Sequence, residues 1–134
     1  ISPAEMLSIY PTLLELCGLP AYEKTEGESL VTTMTADKVD KKAVAITTYG
    51  MNNHSVRSGQ YRYIRYEDGS EELYNHKKDP NEWTNEAGNK AYKKVKSRLM
   101  PLLPAFNANW NTHSAYNFQP YFVDQKARTG KIKQ

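Results

Sequence analysis

Between His54 and Asn85 the chain sets Arg57, Arg62 and Arg65 among Tyr61, Tyr63 and Tyr66, then follows them with Glu67, Asp68, Glu71 and Glu72. Guanidinium groups interleaved with aromatic rings could stack on the bases of a single-stranded nucleic acid, or hold an oxyanion by paired charge-assisted hydrogen bonds. The acidic return segment decides against nucleic acid, because in a hairpin Glu71 and Glu72 lie across from those arginines and pair with them.

Other chemistries fail on spacing. His54, His76 and His113 are far apart and none has a histidine or cysteine partner at ligand spacing, so no zinc site is expected. No Asp-x-Asp-x-Asp-Gly loop is present for calcium, and Glu67, Asp68, Glu71 and Glu72 read as a solvated hairpin tip. There is no Gly-x-Ser-x-Gly elbow for a serine hydrolase and no phosphate loop; Ser58-Gly59 falls in a turn. Asn53-His54-Ser55 fits the glycosylation acceptor pattern, which matters only in a eukaryotic secretory pathway. A single cysteine, Cys17, excludes an internal disulfide and a multi-cysteine metal site and leaves the redox compartment open.

The elements that must position these residues follow from pattern. At 134 residues, with 39% hydrophobic and 11% aromatic content, the chain is expected to fold around one core. Ser2-Pro3-Ala4-Glu5 has capping-box spacing, Pro11 predicts a short turn over 3–9 before a helix from Pro11 to Cys17, and Gly18 closes that helix. Residues 20–42 read as a surface connection. The run 43–48 predicts a strand, and turns at Ser58-Gly59 and Glu67-Asp68-Gly69-Ser70 predict two successive hairpins. Alternation puts Tyr61, Tyr63 and Arg65 on one face of the middle strand and Arg62, Ile64 and Tyr66 on the other, both covered. Asp79-Pro80-Asn81-Glu82 is a turn, and a helix over Asn89–Leu103 carries Ala91, Val95, Leu99 and Leu102 in one stripe. Tyr63, Tyr66, Leu73, Tyr74 and Trp83 are assigned to the core, and Cys17 to a buried helix face. Beyond Pro104 an ordered but irregular strap is expected, with a frayed end; the net charge of +3 owes much to Lys126, Arg128, Lys131 and Lys133 in that tail. The fold class is therefore α+β, a small antiparallel sheet of about four strands against a C-terminal helix.

Taken in order, Ile9 to Pro20, Gly27-Glu28-Ser29-Leu30, Val56-Arg57, Tyr61 to Tyr66, Glu72-Leu73-Tyr74, Asp79-Pro80, Glu82 and Asn85 resemble the C-terminal region of sulfatases of the iduronate-2-sulfatase-like and polysaccharide-sulfatase kind. The resemblance implies that residues 1–20 end an α/β catalytic domain, 21–42 connect, and 43–134 form the C-terminal subdomain. It also implies hydrolysis of sulfate esters of sulfated sugars by a formylglycine, made from a Cys/Ser-x-Pro-x-Arg motif, beside a calcium ion. Cys17 is followed by Gly18-Leu19-Pro20 and does not match that motif, so catalytic and metal residues are expected upstream, none in this chain.

In that family the loop before the Arg57 strand faces the cleft. Asn53 and His54 are thereby the candidates for contacting the sugar next to the sulfate, His54 through hydrogen bonds to hydroxyls or a carboxylate. Arg57 could attract sulfate or carboxylate, or hold a carboxylate of the catalytic domain, with the structural role placed first. The partners expected are that catalytic domain and a sulfated carbohydrate, with no nucleic acid and no membrane span. The opening Ile1-Ser2-Pro3, without initiator Met or leader, reads as a cut, and a secreted or periplasmic location is expected. The competing reading is an independent carbohydrate-binding or protein-interaction module using exposed tyrosines.

Overall fold

Strands with apolar residues at every second position can bury one face and leave the other polar. In the computed structural model, β1 (Val44–Thr48), β2 (His54–Ser58), β3 (Tyr61–Arg65) and β4 (Glu71–Asn75) pair antiparallel in the order β1-β2-β3-β4. The structure describes residues 2–36, 43–105 and 107, and positions 120, 121, 123, 124, 127 and 128. The register aligns Ile46, Val56, Tyr63 and Leu73 in one row across the sheet. Leu99 and Leu103 close over that row, with Val56, Tyr63 and Leu99 fully buried. The expected α+β fold is the observed one.

The first hairpin turns at Gly59-Gln60, one residue later than expected, because Ser58 and Tyr61 still pair. Gly59 alone takes a positive φ, of 58°, as a two-residue turn with glycine at its first position requires.

The helix over the sheet is shorter than expected. α3 covers Lys93–Leu99, with single 3-10 turns at Lys90–Tyr92 and Met100–Leu102. Asn89 starts the first turn by accepting from the Ala91 N–H at 2.9 Å, and Pro101, having no N–H, interrupts the α ladder at the other end. The tighter turns move the apolar stripe: Tyr92, Val95, Leu99 and Leu103 face the sheet, while Ala91 is exposed and Leu102 is 37% exposed.

At the other end of the chain, a 3-10 turn (Met6–Ser8) leads into α1 (Ile9–Leu16), which takes Pro11 within its first turn. Gly18, at φ 65°, reverses the chain so that the Leu19 N–H reaches the Leu14 carbonyl at 2.9 Å. The expected capping box is absent. Glu5 is extended, and its carboxylate accepts from the Ile46 N–H at 3.0 Å, occupying the open edge of β1. Cys17, expected to be buried, is exposed, because only Thr12 of α1 is buried in this structure.

The stretch expected to be a plain connection contains the short helix α2 (Val31–Thr35) and an ordered approach to it. Thr12 Oγ1 donates to the Ser8 carbonyl and accepts from the Leu30 N–H at 2.9 Å, and Ser29 Oγ accepts from the Val31 N–H at 3.2 Å. Gly27 lies so close to the Leu7–Ser8 peptide that a Cβ there would stand 2.2 Å from the Leu7 oxygen. These contacts give the Gly-x-Ser-Leu element its physical sense.

The open edge of β4 is also occupied. Asn85 acts as a one-residue strand: its Oδ1 accepts from Leu73 N–H at 3.1 Å and its Nδ2 donates to the Glu71 carbonyl at 3.0 Å, beside the Glu86 N–H bond to the Leu73 carbonyl at 2.8 Å. Much of the expected strap, with His113, Lys126, Lys131 and Lys133, lies outside the described residues. The described positions from 120 to 128 are helical rather than irregular, with Arg128 paired to Asp124 at 2.9 Å.

Glycine positions provide a direct test. Gly27→Ala must displace backbone and is expected to cost about 2 kcal/mol, whereas Gly88→Ala, with nothing within 4 Å of its Cβ, stays within about 0.5 kcal/mol. Urea denaturation of both variants checks the difference.

Candidate functional site

A strand reverses its faces at every residue, so His54 and Arg57, three apart, point to opposite sides of the sheet. The structure shows this division directly: His54 is 2% exposed on the α3 side, and Arg57 is exposed on the other.

His54 sits beneath the β1–β2 loop. Its Nδ1 shares a 2.9 Å hydrogen bond with Thr48 Oγ1, its partner across the strands. Nε2 is buried and has no hydrogen-bond partner among the described residues. Burial, and then the charge of Arg65, push its pKa below the ordinary imidazole value, with the neighbouring Asn107 amide working in the other direction. The ring is neutral at pH 7 and packs under the loop.

The loop above it is held tightly. Gly50 and Asn52 take left-handed backbone, at φ 72° and 60°. Tyr49 N–H bonds the Asn53 carbonyl at 3.0 Å. The Asn53 side chain donates to the Met51 carbonyl at 2.9 Å and accepts from the Glu67 N–H at 3.2 Å, tying the loop to the second hairpin. From 55 residues downstream, Asn107 accepts from the Asn52 N–H at 3.0 Å and donates back to Asn52 Oδ1 at 2.6 Å. Asn53 and His54 thus belong to one locality, and Arg57 to another.

On the second face Arg57 stands directly across from Arg62, a like-charge juxtaposition that costs stability unless one partner is neutralised. Glu82 neutralises Arg62: the ion pair is 2.9 Å long, and Arg62 Nε also donates to Ser55 Oγ at 3.0 Å. Glu82 meets His76 Nε2 at 2.6 Å as well. Burial pushes the Glu82 carboxyl up, but His76 and Arg62 outweigh it and hold the carboxyl below the usual range. The Asp79-Pro80 turn makes this reach possible, with Asp79 Oδ2 accepting from the Thr84 N–H at 2.8 Å and Glu82 in left-handed backbone at φ 58°. Turning Glu82 inward leaves Trp83, expected in the core, 84% exposed.

Glu71 stands across from Arg65 in register, as expected, and that charge helps depress its carboxyl, but the hydrogen bonds of Glu71 and Glu72 go to other groups. Glu72 accepts from Tyr66 at 3.1 Å and from Tyr74 at 2.8 Å, and burial followed by the Glu72 contact pushes the Tyr74 hydroxyl up to about 12. Tyr66 is accordingly half-buried rather than core. Glu71 lies on the α3 side, where Lys96 holds it at 2.6 Å and Tyr63 donates to its other oxygen. The Lys96 and Tyr63 hydrogen bonds bring the Glu71 carboxyl below its ordinary range. Lys96, Asn85 and Asn107 were not legible as site residues: single polar residues in helical or loop sequence carry no periodic signal. The position of Asn85 in the ordered motif series was the only clue to any of them.

Comparison with known proteins places this architecture. The C-terminal domain family of N-sulphoglucosamine sulphohydrolase matches residues 4–109. This chain belongs to that family. A sulfatase of Formosa agariphila is 57% identical over 127 residues, covering 95% of this chain and 25% of its own length. A delta 4,5-hexuronate-2-O-sulfatase of Bacteroides thetaiotaomicron is 29% identical, covering 91% of this chain and 26% of its own length. The solved structure of a 2-O GAG sulfatase superposes with a TM-score of 0.57 at 31% identity, covering 71% of this chain and 22% of that one. The chain thus spans about a quarter of the length of the curated relatives it matches.

The titration shifts predict an acid-sensitive fold. His54 has a folded pKa below its unfolded value of about 6.5, so its contribution is fully present above that pH and is lost as pH falls toward the folded pKa. Glu71, also depressed, contributes above the ordinary carboxylate range and is lost as pH falls through its folded pKa. Urea midpoints are expected to be flat above about pH 7 and to decline in acid. Glu71→Gln should cost about 1 kcal/mol at pH 7 and flatten the lowest part of that curve.

Proposed function

We propose that this chain is the C-terminal subdomain of a secreted or periplasmic, formylglycine-dependent sulfatase acting on sulfated sugars or polysaccharides, and that it is inactive alone. The observation that carries this reading is the family match across most of the chain, joined to a close relative of which it spans only a quarter. In this reading residues 1–20 end the catalytic domain, 21–42 connect, and 43–134 complete the cleft. The hexuronate-2-O-sulfatase among the relatives makes a 2-O-sulfated uronic sugar the first substrate to assay.

The formylglycine and calcium of such an enzyme fit nothing among the described residues. Cys17 is exposed at the end of α1 and lacks the Pro-x-Arg context, and among the described residues no group of three or more His, Cys, Asp or Glu could hold a metal. In this proposal both reside in residues upstream. Nor is any helix among the described residues long and apolar enough to cross a membrane.

Support for a missing partner comes from the N-terminal region. Met6, Leu7, Ile9, Tyr10, Leu13, Leu16, Leu19 and Tyr22 are all large, apolar and about half exposed or more, Met6 reaching 80%. Contiguous apolar surface of this kind marks an interface, and its occupant here is the catalytic domain of the same polypeptide. Arg57 serves that interface by offering a cation to a carboxylate of the catalytic domain. Asn53 is the sugar contact at the loop, and His54 supports the loop from beneath.

The intact protein is expected to release sulfate from 2-O-sulfated uronic oligosaccharides, and residues 1–134 alone to release none and to self-associate, read by ion chromatography and light scattering. A monodisperse 1–134 that binds glycans, with no sulfate release by the intact protein, would favour the independent module instead. In the intact enzyme, about four times the length of this chain if it matches its relative, Arg57→Ala should lower Tm by roughly 1–2 °C, about 1–2 kcal/mol of stability, while leaving KM for the sugar unchanged. A raised KM at unchanged Tm would move Arg57 from the interface to the substrate.

A further inference from the structure

We propose that Asn107 is a positioning residue for substrate recognition: its side-chain amide clasps the β1–β2 loop in the one conformation that presents Asn53 to the sugar. The inference rests on the reading of that loop as the cleft loop given above, and adds to it a residue from a separate part of the chain.

The geometry is that of a reciprocal clasp. Asn52 occupies left-handed backbone at φ 60°, which asparagine adopts more readily than other non-glycine residues, so the loop is held here by hydrogen bonds rather than by backbone preference alone. Asn107 supplies the hold from both sides: its Oδ1 takes the Asn52 N–H and its Nδ2 gives to Asn52 Oδ1, at 3.0 and 2.6 Å. An amide is the side chain suited to this exchange, since it carries an acceptor and a donor on one planar group. Within the loop, Tyr49 to Asn53 and Asn53 to Met51 bonds close a short circuit, and Asn53 Oδ1 reaches the second hairpin at Glu67. The loop therefore has anchors at β1, at the β3–β4 hairpin and, through Asn107, in the segment that follows α3.

The third anchor has no substitute among the described residues. Asn52 has no other side-chain or backbone hydrogen bond there, and Gly50, two residues earlier and also left-handed, adds no stiffness of its own. Beneath the clasp, the Asn107 amide also lies against the buried His54 imidazole, favouring its protonated form. One side chain thus meets both flanks of Asn53, the residue proposed to touch sugar. Because Asn107 contacts no proposed reacting group, it acts through Asn52 and is a positioning residue rather than a catalytic one.

The test uses the intact enzyme and two readouts. In Asn107→Ala, amide hydrogen exchange at Met51–His54 should speed up at least tenfold while β3 and β4 amides keep their protection. KM for a 2-O-sulfated uronic disaccharide should rise at least threefold, with turnover of a small aryl sulfate unchanged. Asn107→Asp keeps the acceptor but sets a carboxylate against Asn52 Oδ1, and is expected to behave like Ala. Asn89→Ala, which removes an amide cap at the start of the neighbouring helical segment, should change neither readout. Unchanged loop exchange in Asn107→Ala overturns the clasp. Faster exchange with unchanged KM overturns its role in recognition while leaving the sulfatase reading intact. A wild-type enzyme that releases no sulfate from any tested ester removes the reading on which the proposal rests, and the exchange data then judge the clasp alone.

Discussion

One row of side chains governs this domain: Ile46, Val56, Tyr63 and Leu73, aligned across four strands and closed by Leu99 and Leu103. A shift of one residue in any strand would carry its member of the row to the opposite face. That constraint sets where every polar group of the sheet can go. It sends Glu71 and His54 to the helix side and Arg57, Arg62, Glu72 and Tyr74 to the other, and so divides the arginine-tyrosine cluster that looks continuous in sequence.

The polar groups then solve local problems of satisfaction. An open sheet edge presents unpaired N–H and C=O groups, and both edges here are met by side chains, Glu5 at β1 and Asn85 at β4. Two arginines facing each other across strands require a carboxylate, and the Asp79-Pro80 turn delivers Glu82 to Arg62. These contacts bind the hairpins, the turn and the N-terminal segment into one unit. Among the described residues, such satisfaction stops at the exposed apolar side chains of α1 and at Arg57.

The hairpins, their turn glycines and the antiparallel order were legible because period-two alternation and Gly-containing turns are local signals. Tyr63, Leu73 and Tyr74 were placed in the core correctly for the same reason. Trp83 was not, since its size argued for burial while the requirement that Glu82 reach Arg62 turned it outward. Cys17 failed similarly: an apolar helix face reads as buried, yet in this structure α1 meets too little of the chain to cover it. The helix stripe slipped by a residue at each end because 3-10 turns rotate faster than an α-helix.

The sequence by itself determined the α+β class, the two faces of the middle strand through its alternation, and the family through the order of its short motifs, since each depends on neighbours a few residues apart. The tertiary structure alone decided that His54 and Asn53 lie in one locality and Arg57 in another, that Glu71 answers to Lys96, and that Asn107 closes on Asn52 across 55 residues of chain. Such pairings are made by single polar side chains whose directional bonds leave no periodic trace in sequence. They exist only once the hydrophobic row has fixed which face of the sheet each residue presents.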